Sequence, residues 1–161
     1  MNANTMKTTI TVGDKELSHE DLAMLAIAVA LDKKAVRPTA MDLRSVGAFT
    51  ELFSIVSASN PRQVYAVAEA IRQFFKSRLG IMPVSVDGLE SCTWVLIDYG
   101  FLFVHVFQEP TRELYQLEQL WSKAHIIPVS EEKCQELYQE VVENTNTVLS
   151  GESEFSQNSM A

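Results

Sequence analysis

The run T-W-V-L-I-D-Y-G-F-L-F-V-H-V-F-Q-E-P-T-R-E-L-Y-Q-L-E-Q-L-W, residues 93–121, decides how this chain folds. Two apolar stretches, 93–98 and 101–107, are separated only by Tyr99-Gly100, and a charged run with leucines at helical spacing follows at once. A two-residue link with Gly second suits a tight hairpin turn, because Gly accepts the positive φ that such turns require. The stretches are therefore read as antiparallel strands in which Asp98 faces Phe101, Leu96 faces Phe103 and Trp94 faces His105. Alternation places Trp94, Leu96, Asp98, Phe101, Phe103, His105 and Phe107 on one face, and Val95, Ile97, Leu102, Val104 and Val106 on the other. The second set is aliphatic core. The first mixes aromatic rings with a carboxylate and an imidazole, and function is expected there.

With 161 residues, 47% of them hydrophobic, the chain is long enough for one domain with a sizeable core. The longest early apolar run, residues 23–31, is far below the roughly 20 residues that span a bilayer, and no cleavable leader pattern precedes it. A cytoplasmic protein without a membrane partner is expected. Cys92 and Cys134 stand far apart with no metal-ligand spacing around them, so both are read as free thiols. The net charge of −8 is unevenly placed: residues 124–161 hold seven Glu and one Lys (−6), leaving −2 for the rest. The body carries no basic stripe, so no direct nucleic-acid site is expected, whereas a basic protein partner is compatible with the acidic tail.

Residues 1–17 read as a loose arm or short hairpin with Gly13-Asp14 as its turn. Ser18 caps a helix running to about Leu31, with Glu20 and Asp21 in its first turn. Strands are expected at 39–43 and 51–57. A helix then starts from Ser59 or Asn60, with Pro61 in its first turn, and runs to about Leu79, where Gly80 stops it. A further strand at 81–86 leads into the hairpin. The order α-β-β-α-β-β-β-α implies one small α/β domain with a mixed, mostly five-stranded sheet flanked by helices. Ser130 caps a last helix in a C-terminal extension, 124–149, and residues 150–161 are too poor in apolar side chains to fold.

Asp42, Glu51 and Asp98 are the carboxylates a metal-dependent nucleotidyltransferase would need. They are single acids on three strands with no D-x-D pair to focus charge on magnesium. The S-A-S-N-P-R loop precedes a helix N-terminus but lacks a glycine for close phosphate approach. His105 has neither nucleophile nor second ligand at useful spacing. No cofactor or metal site is assigned. In the run after the hairpin, Leu114, Leu117 and Trp121 are spaced as core contacts, with Leu120 widening the stripe. Arg112, Tyr115 and Glu118 follow at steps of three on a neighbouring, partly exposed face. Trp, Tyr and Arg dominate binding hot spots, so that face is read as a recognition surface.

At these residues the sequence resembles the ribosomal silencing factor (Iojap) family. The resemblance rests on L-D-K-K-A at 31–35, M-D-L at 41–43, F-T-E-L-F at 49–53 and S-x-x-R-Q at 59–63. It continues through Asp87-Gly88, W-x-x-x-D-x-G at 94–100, V-H-V-F-Q-E at 104–109 and R-E-L-Y-x-L-E-x-L-W at 112–121, thus covering residues 18–123. It implies a nucleotidyltransferase-like α/β fold without the catalytic acids. It also implies a non-enzymatic repressor that binds the large ribosomal subunit through its protein fourteen and blocks joining of the small subunit when nutrients are scarce. The contact residues implied are Trp94, Asp98, His105, Arg112, Tyr115 and Glu118. Phe101 departs from the family, standing where an acid is common. Two other readings remain at this stage: the metal-dependent nucleotidyltransferase, and a homodimeric interaction module that uses the apolar hairpin face and binds no ribosome.

Overall fold

The computed structural model describes residues 9–160, with side chains described through residue 146. Residues 1–8 of the expected N-terminal arm lie outside them. Residues 9–18 form a hairpin, β1 (Thr9–Val12) and β2 (Lys15–Ser18), turning at Gly13. Val12 and Leu17 anchor it in the core. Ser18 then caps α1 (His19–Asp32) through a capping box with Asp21. Eight residues between Leu22 and Ala30 are buried on α1, because the sheet covers one side of the helix and α5 (Glu131–Met160) the other.

The main sheet comprises β3 (Val36–Asp42), β4 (Leu52–Ala58), β5 (Ser85–Asp87), β6 (Trp94–Asp98), β7 (Leu102–Gln108) and β8 (His125–Ile127), in the order β5-β6-β7-β4-β3-β8. Only β4 and β7 run parallel. Central strand β4 is buried along its whole length, its two serines satisfied inside: Ser54 Oγ donates to the Ala23 carbonyl at 2.8 Å and Ser57 Oγ accepts from Arg112 at 2.9 Å. The sheet has six strands rather than five. The sixth, β8, belongs to the segment read from sequence as an extension, and it pairs with β3 through Ala40, Met41 and Asp42. The strand expected at 81–86 shrinks to β5, since Pro83 has no N–H for the ladder. Asn60 caps α2 (Pro61–Phe74), which continues into a π-helical turn (Phe75–Leu79) closed by Gly80 at φ +69. Helix α5 takes in residues 150–160, which the sequence reading leaves unfolded; once a packed first half has nucleated a helix, each added residue costs little. Among the described residues, no helix is long and apolar enough to cross a membrane.

The hairpin register differs from expectation by two residues. Trp94 faces Phe107, Leu96 faces His105 and Asp98 faces Phe103. Tyr99 joins the ladder by donating its N–H to the Leu102 carbonyl at 2.9 Å, so the loop is Gly100-Phe101, with Gly100 at φ +87 in the first loop position. Asp98 Oδ1 accepts the Gly100 N–H at 2.7 Å and fixes the turn. A shift of two leaves both strands' faces intact. Phe101 alone leaves its expected face: it stacks on His19, ring centroids 4.1 Å apart, at the edge of the main core.

Candidate interaction surface

The two faces of the sheet are built differently. Val95, Ile97, Leu102, Val104 and Val106 join α1, α2 and α5 in the larger core. Behind them, Met41, Leu43, Phe53, Ile55 and Phe107 form a second cluster with Leu117 and Ala124, and Trp94, Phe103 and Trp121 lie half-buried at its border. Its cover is slight: α3 (Glu109–Tyr115) and α4 (Leu117–Leu120) make barely three turns between them.

An aromatic network runs across this face. Trp94 packs on Phe107 (centroids 4.8 Å) and on Tyr115 (5.0 Å), Phe53 meets His105 edge-on (4.5 Å), and Trp121 meets Phe53 edge-on (6.2 Å). These distances fall within the range in which aromatic pairs attract beyond their buried area. The Trp94 indole N–H donates to His105 Nδ1 at 3.1 Å, and since indole is only a donor, the His105 proton must sit on Nε2. That Nε2 is buried without a partner among the described residues. Burial, with a smaller push from the Arg112 charge, lowers the His105 pKa to about 3. The ring is therefore a neutral packing element at ordinary pH.

The six residues singled out from sequence fall into two groups. Tyr115 is 55% exposed, and Trp94, Asp98 and Glu118 are half-buried at the surface. His105 and Arg112, by contrast, are 3% and 2% exposed. The expectation of a partly exposed Arg112 is thus corrected: the helix carrying it breaks at Gln116, which adopts φ +46, and the turn closes over its guanidinium. The same break corrects the expected core stripe. Leu117 is buried, Trp121 half-buried, and Leu114 and Leu120 stand 76% and 72% exposed. Sequence spacing missed Leu114 and Leu120 as surface groups because it assumed one continuous helix, and Gln116 carries no glycine or asparagine signal to announce the break.

The carboxylates considered for metal chemistry are engaged separately. Asp42 binds Arg44, whose hydrogen bonds hold its carboxyl below the usual range; Glu51 lies 2.9 Å from His19 Nδ1; Asp98 holds its turn. Among the described residues, no three His, Cys, Asp or Glu side chains gather as a metal site would require. Cys92 and Cys134 are both buried free thiols. What the surface offers is exposed aromatic and aliphatic area beside a carboxylate, which is suited to binding.

The family model described as "Ribosomal silencing factor during starvation" matches residues 16–156. The chain is 33% identical over 108 residues to the ribosomal silencing factor RsfS of Halalkalibacterium halodurans, covering 67% of this chain and 92% of that protein. It is 31% identical over 108 residues to RsfS of Bacillus subtilis, covering 67% and 91%. Among solved structures, a crystal structure of a Chromobacterium violaceum protein superposes with a TM-score of 0.63 at 28% identity, covering 66% of this chain and 88% of that one.

Proposed function

This chain belongs to the ribosomal silencing factor family, whose members are not enzymes, and from that premise we propose a specific mode of action. The protein binds the large ribosomal subunit through that subunit's protein fourteen and, by occupying the joining surface, keeps the small subunit away when nutrients are scarce. It acts in the cytoplasm on a fold of nucleotidyltransferase type whose catalytic acids are missing. The observation that carries this reading is the aromatic face: Trp94 and Tyr115 touch each other at the surface, and Leu114 and Leu120 on the same pair of short helices stand exposed. A central aromatic anchor with a polar rim is the anatomy of a protein-binding patch, and blocking by occupancy requires no covalent step.

Trp94, Asp98, Tyr115 and Glu118 are the proposed contact residues. His105 supports the patch from beneath, through the bond it accepts from Trp94. The same apolar patch would suit a second copy of the chain when no ribosome is present. Co-sedimentation of the purified protein with separated ribosomal subunits tests the proposal. Selective recovery with the large subunit, lost in Tyr115→Ala, is expected; recovery with neither subunit would overturn it.

A further inference from the structure

Every donor of the Arg112 guanidinium is used inside the protein. Nη1 donates to the Arg37 carbonyl at 2.6 Å and to Ser57 Oγ at 2.9 Å. Nη2 donates to Thr39 Oγ1 at 2.9 Å and to Glu118 Oε2 at 2.6 Å, and Nε donates to the same carboxylate oxygen at 3.2 Å. A guanidinium has five N–H groups, so none is left to offer a partner. Burial is the largest single influence on Glu118 and opposes its ionisation, but the Arg112 hydrogen bonds, a backbone N–H and the Arg112 and Arg37 charges together hold that carboxyl below its usual range.

Three of the four acceptors lie at, or two residues past, an unfavourable backbone conformation. Arg37 sits at φ +55 in the irregular stretch where β3 slips register against β4, just before Pro38. Gln116 sits at φ +46 between α3 and α4. Neither is glycine, and left-handed backbone is costly for other L residues unless its surroundings hold it. Arg112 bonds the carbonyl at the first of these sites and the carboxylate two residues past the second. The Arg37 side chain adds a clasp of its own, reaching Glu109 at 3.0 Å and Glu113 at 2.5 Å on α3. A helix running on through residue 116 would put Leu114, Leu117 and Trp121 on one stripe, as their spacing suggests. The break lets Leu117 turn inward while Leu114, Tyr115 and Leu120 stay outside.

We infer that Arg112 is a positioning residue for the binding surface: by tying the β3 irregularity to Glu118 it fixes the turn at Gln116 that presents Leu114, Tyr115 and Leu120. The inference rests on the reading of this face as the ribosome-binding one. It is tested in the full chain with the double variant Thr39→Val/Ser57→Ala, which removes two acceptors at residues outside the proposed contact set, and with Arg112→Met and Arg112→Lys. Two readouts are needed: amide exchange of Leu120 and Trp121, whose N–H groups bond the Gln116 and Leu117 carbonyls, and affinity for isolated large subunits. In the double variant, exchange at these amides is expected to rise about tenfold while sheet amides such as Val104 hold. Affinity is expected to fall about fivefold or more. Arg112→Lys should restore part of both losses seen in Arg112→Met, whereas Tyr115→Ala should lose affinity with exchange unchanged.

Unchanged exchange in the double variant and Arg112→Met, or faster exchange with undiminished affinity, would overturn the positioning role alone. A parent protein that binds neither subunit would instead overturn the functional reading, and the surface role with it.

Discussion

Val95, Ile97, Leu102, Val104 and Val106 are all 1% exposed or less beneath the helices of one face, while on the other face of the same two strands Trp94 and Phe103 remain half-buried. Both sets come from one hairpin and differ by a single step of the pleat. The sealed set is interchangeable aliphatic volume, whose value lies in area removed from water. The open set is aromatic and oriented: Trp94 is bonded to His105 and stacked on Phe107 and Tyr115. A fold could be completed by covering the second face with a full helix, as α1 and α2 cover the first. Instead only α3 and α4 lie there and large apolar groups stay exposed, the feature that the proposed binding role of this face rests on.

Ile97→Ala tests the sealed face. Removing three carbons from a fully buried site should cost about 3 kcal/mol, measured by urea unfolding at pH 7, with the surviving folded protein binding large subunits as the parent does. Tyr115→Ala tests the open face and should behave oppositely: only about 1 kcal/mol of stability lost, mostly the packing of its ring on Trp94, but about 2 kcal/mol of affinity, or thirtyfold. If the two variants lost stability and affinity in parallel, the division of labour between the faces would be wrong.

Between these lies His105, which belongs to the open face yet is fully covered. Its folded pKa, about 3, lies below the ordinary 6.5. Its contribution is therefore fully present above pH 6.5 and is lost as pH falls toward 3, because the unfolded chain takes up the proton first. Between pH 7 and pH 5 the stability loss from this one group should be about 2 kcal/mol. His105→Gln, though less stable at pH 7, should show a flatter profile across that window. An equally steep profile in the variant would assign the acid sensitivity elsewhere.

Much of this division was legible in residues 93–107, because period-two alternation determines which side chains share a face whatever the register. The register itself was not. Tyr99-Gly100 and Gly100-Phe101 are both two-residue loops containing glycine, and Asp98 chooses between them through a bond that only the folded turn reveals. The capped starts of α1 and α2 were readable because Ser18 and the Ser59-Asn60 pair announce a cap chemically, although only the fold chose Asn60 over Ser59. The break at Gln116 and the slip near Arg37 were not, since each is a local cost borne by a long-range contact, the guanidinium of Arg112. Thus the central pair of the candidate surface, Trp94 and Tyr115, could be named from sequence as candidates, whereas Leu114 and Leu120 needed the fold. Residues 125–127 escaped for the opposite reason: three residues carry too little pattern to show as a strand until β3 offers them an edge.

The smallest expected effect concerns a residue on neither face. Asn60 Oδ1 accepts the Gln63 N–H at 2.9 Å and caps α2, which covers the sealed side of the sheet. Asn60→Ala leaves that donor to water and should cost about 1 kcal/mol in urea unfolding. Asn60 itself is exposed, so no cavity adds to the loss. If α2 serves only to seal its face, affinity for the large subunit should not change. An affinity loss larger than the parent-to-variant difference in folded fraction explains would mean that the sealed side also communicates with the partner, and that closing one face is part of how the other is shaped.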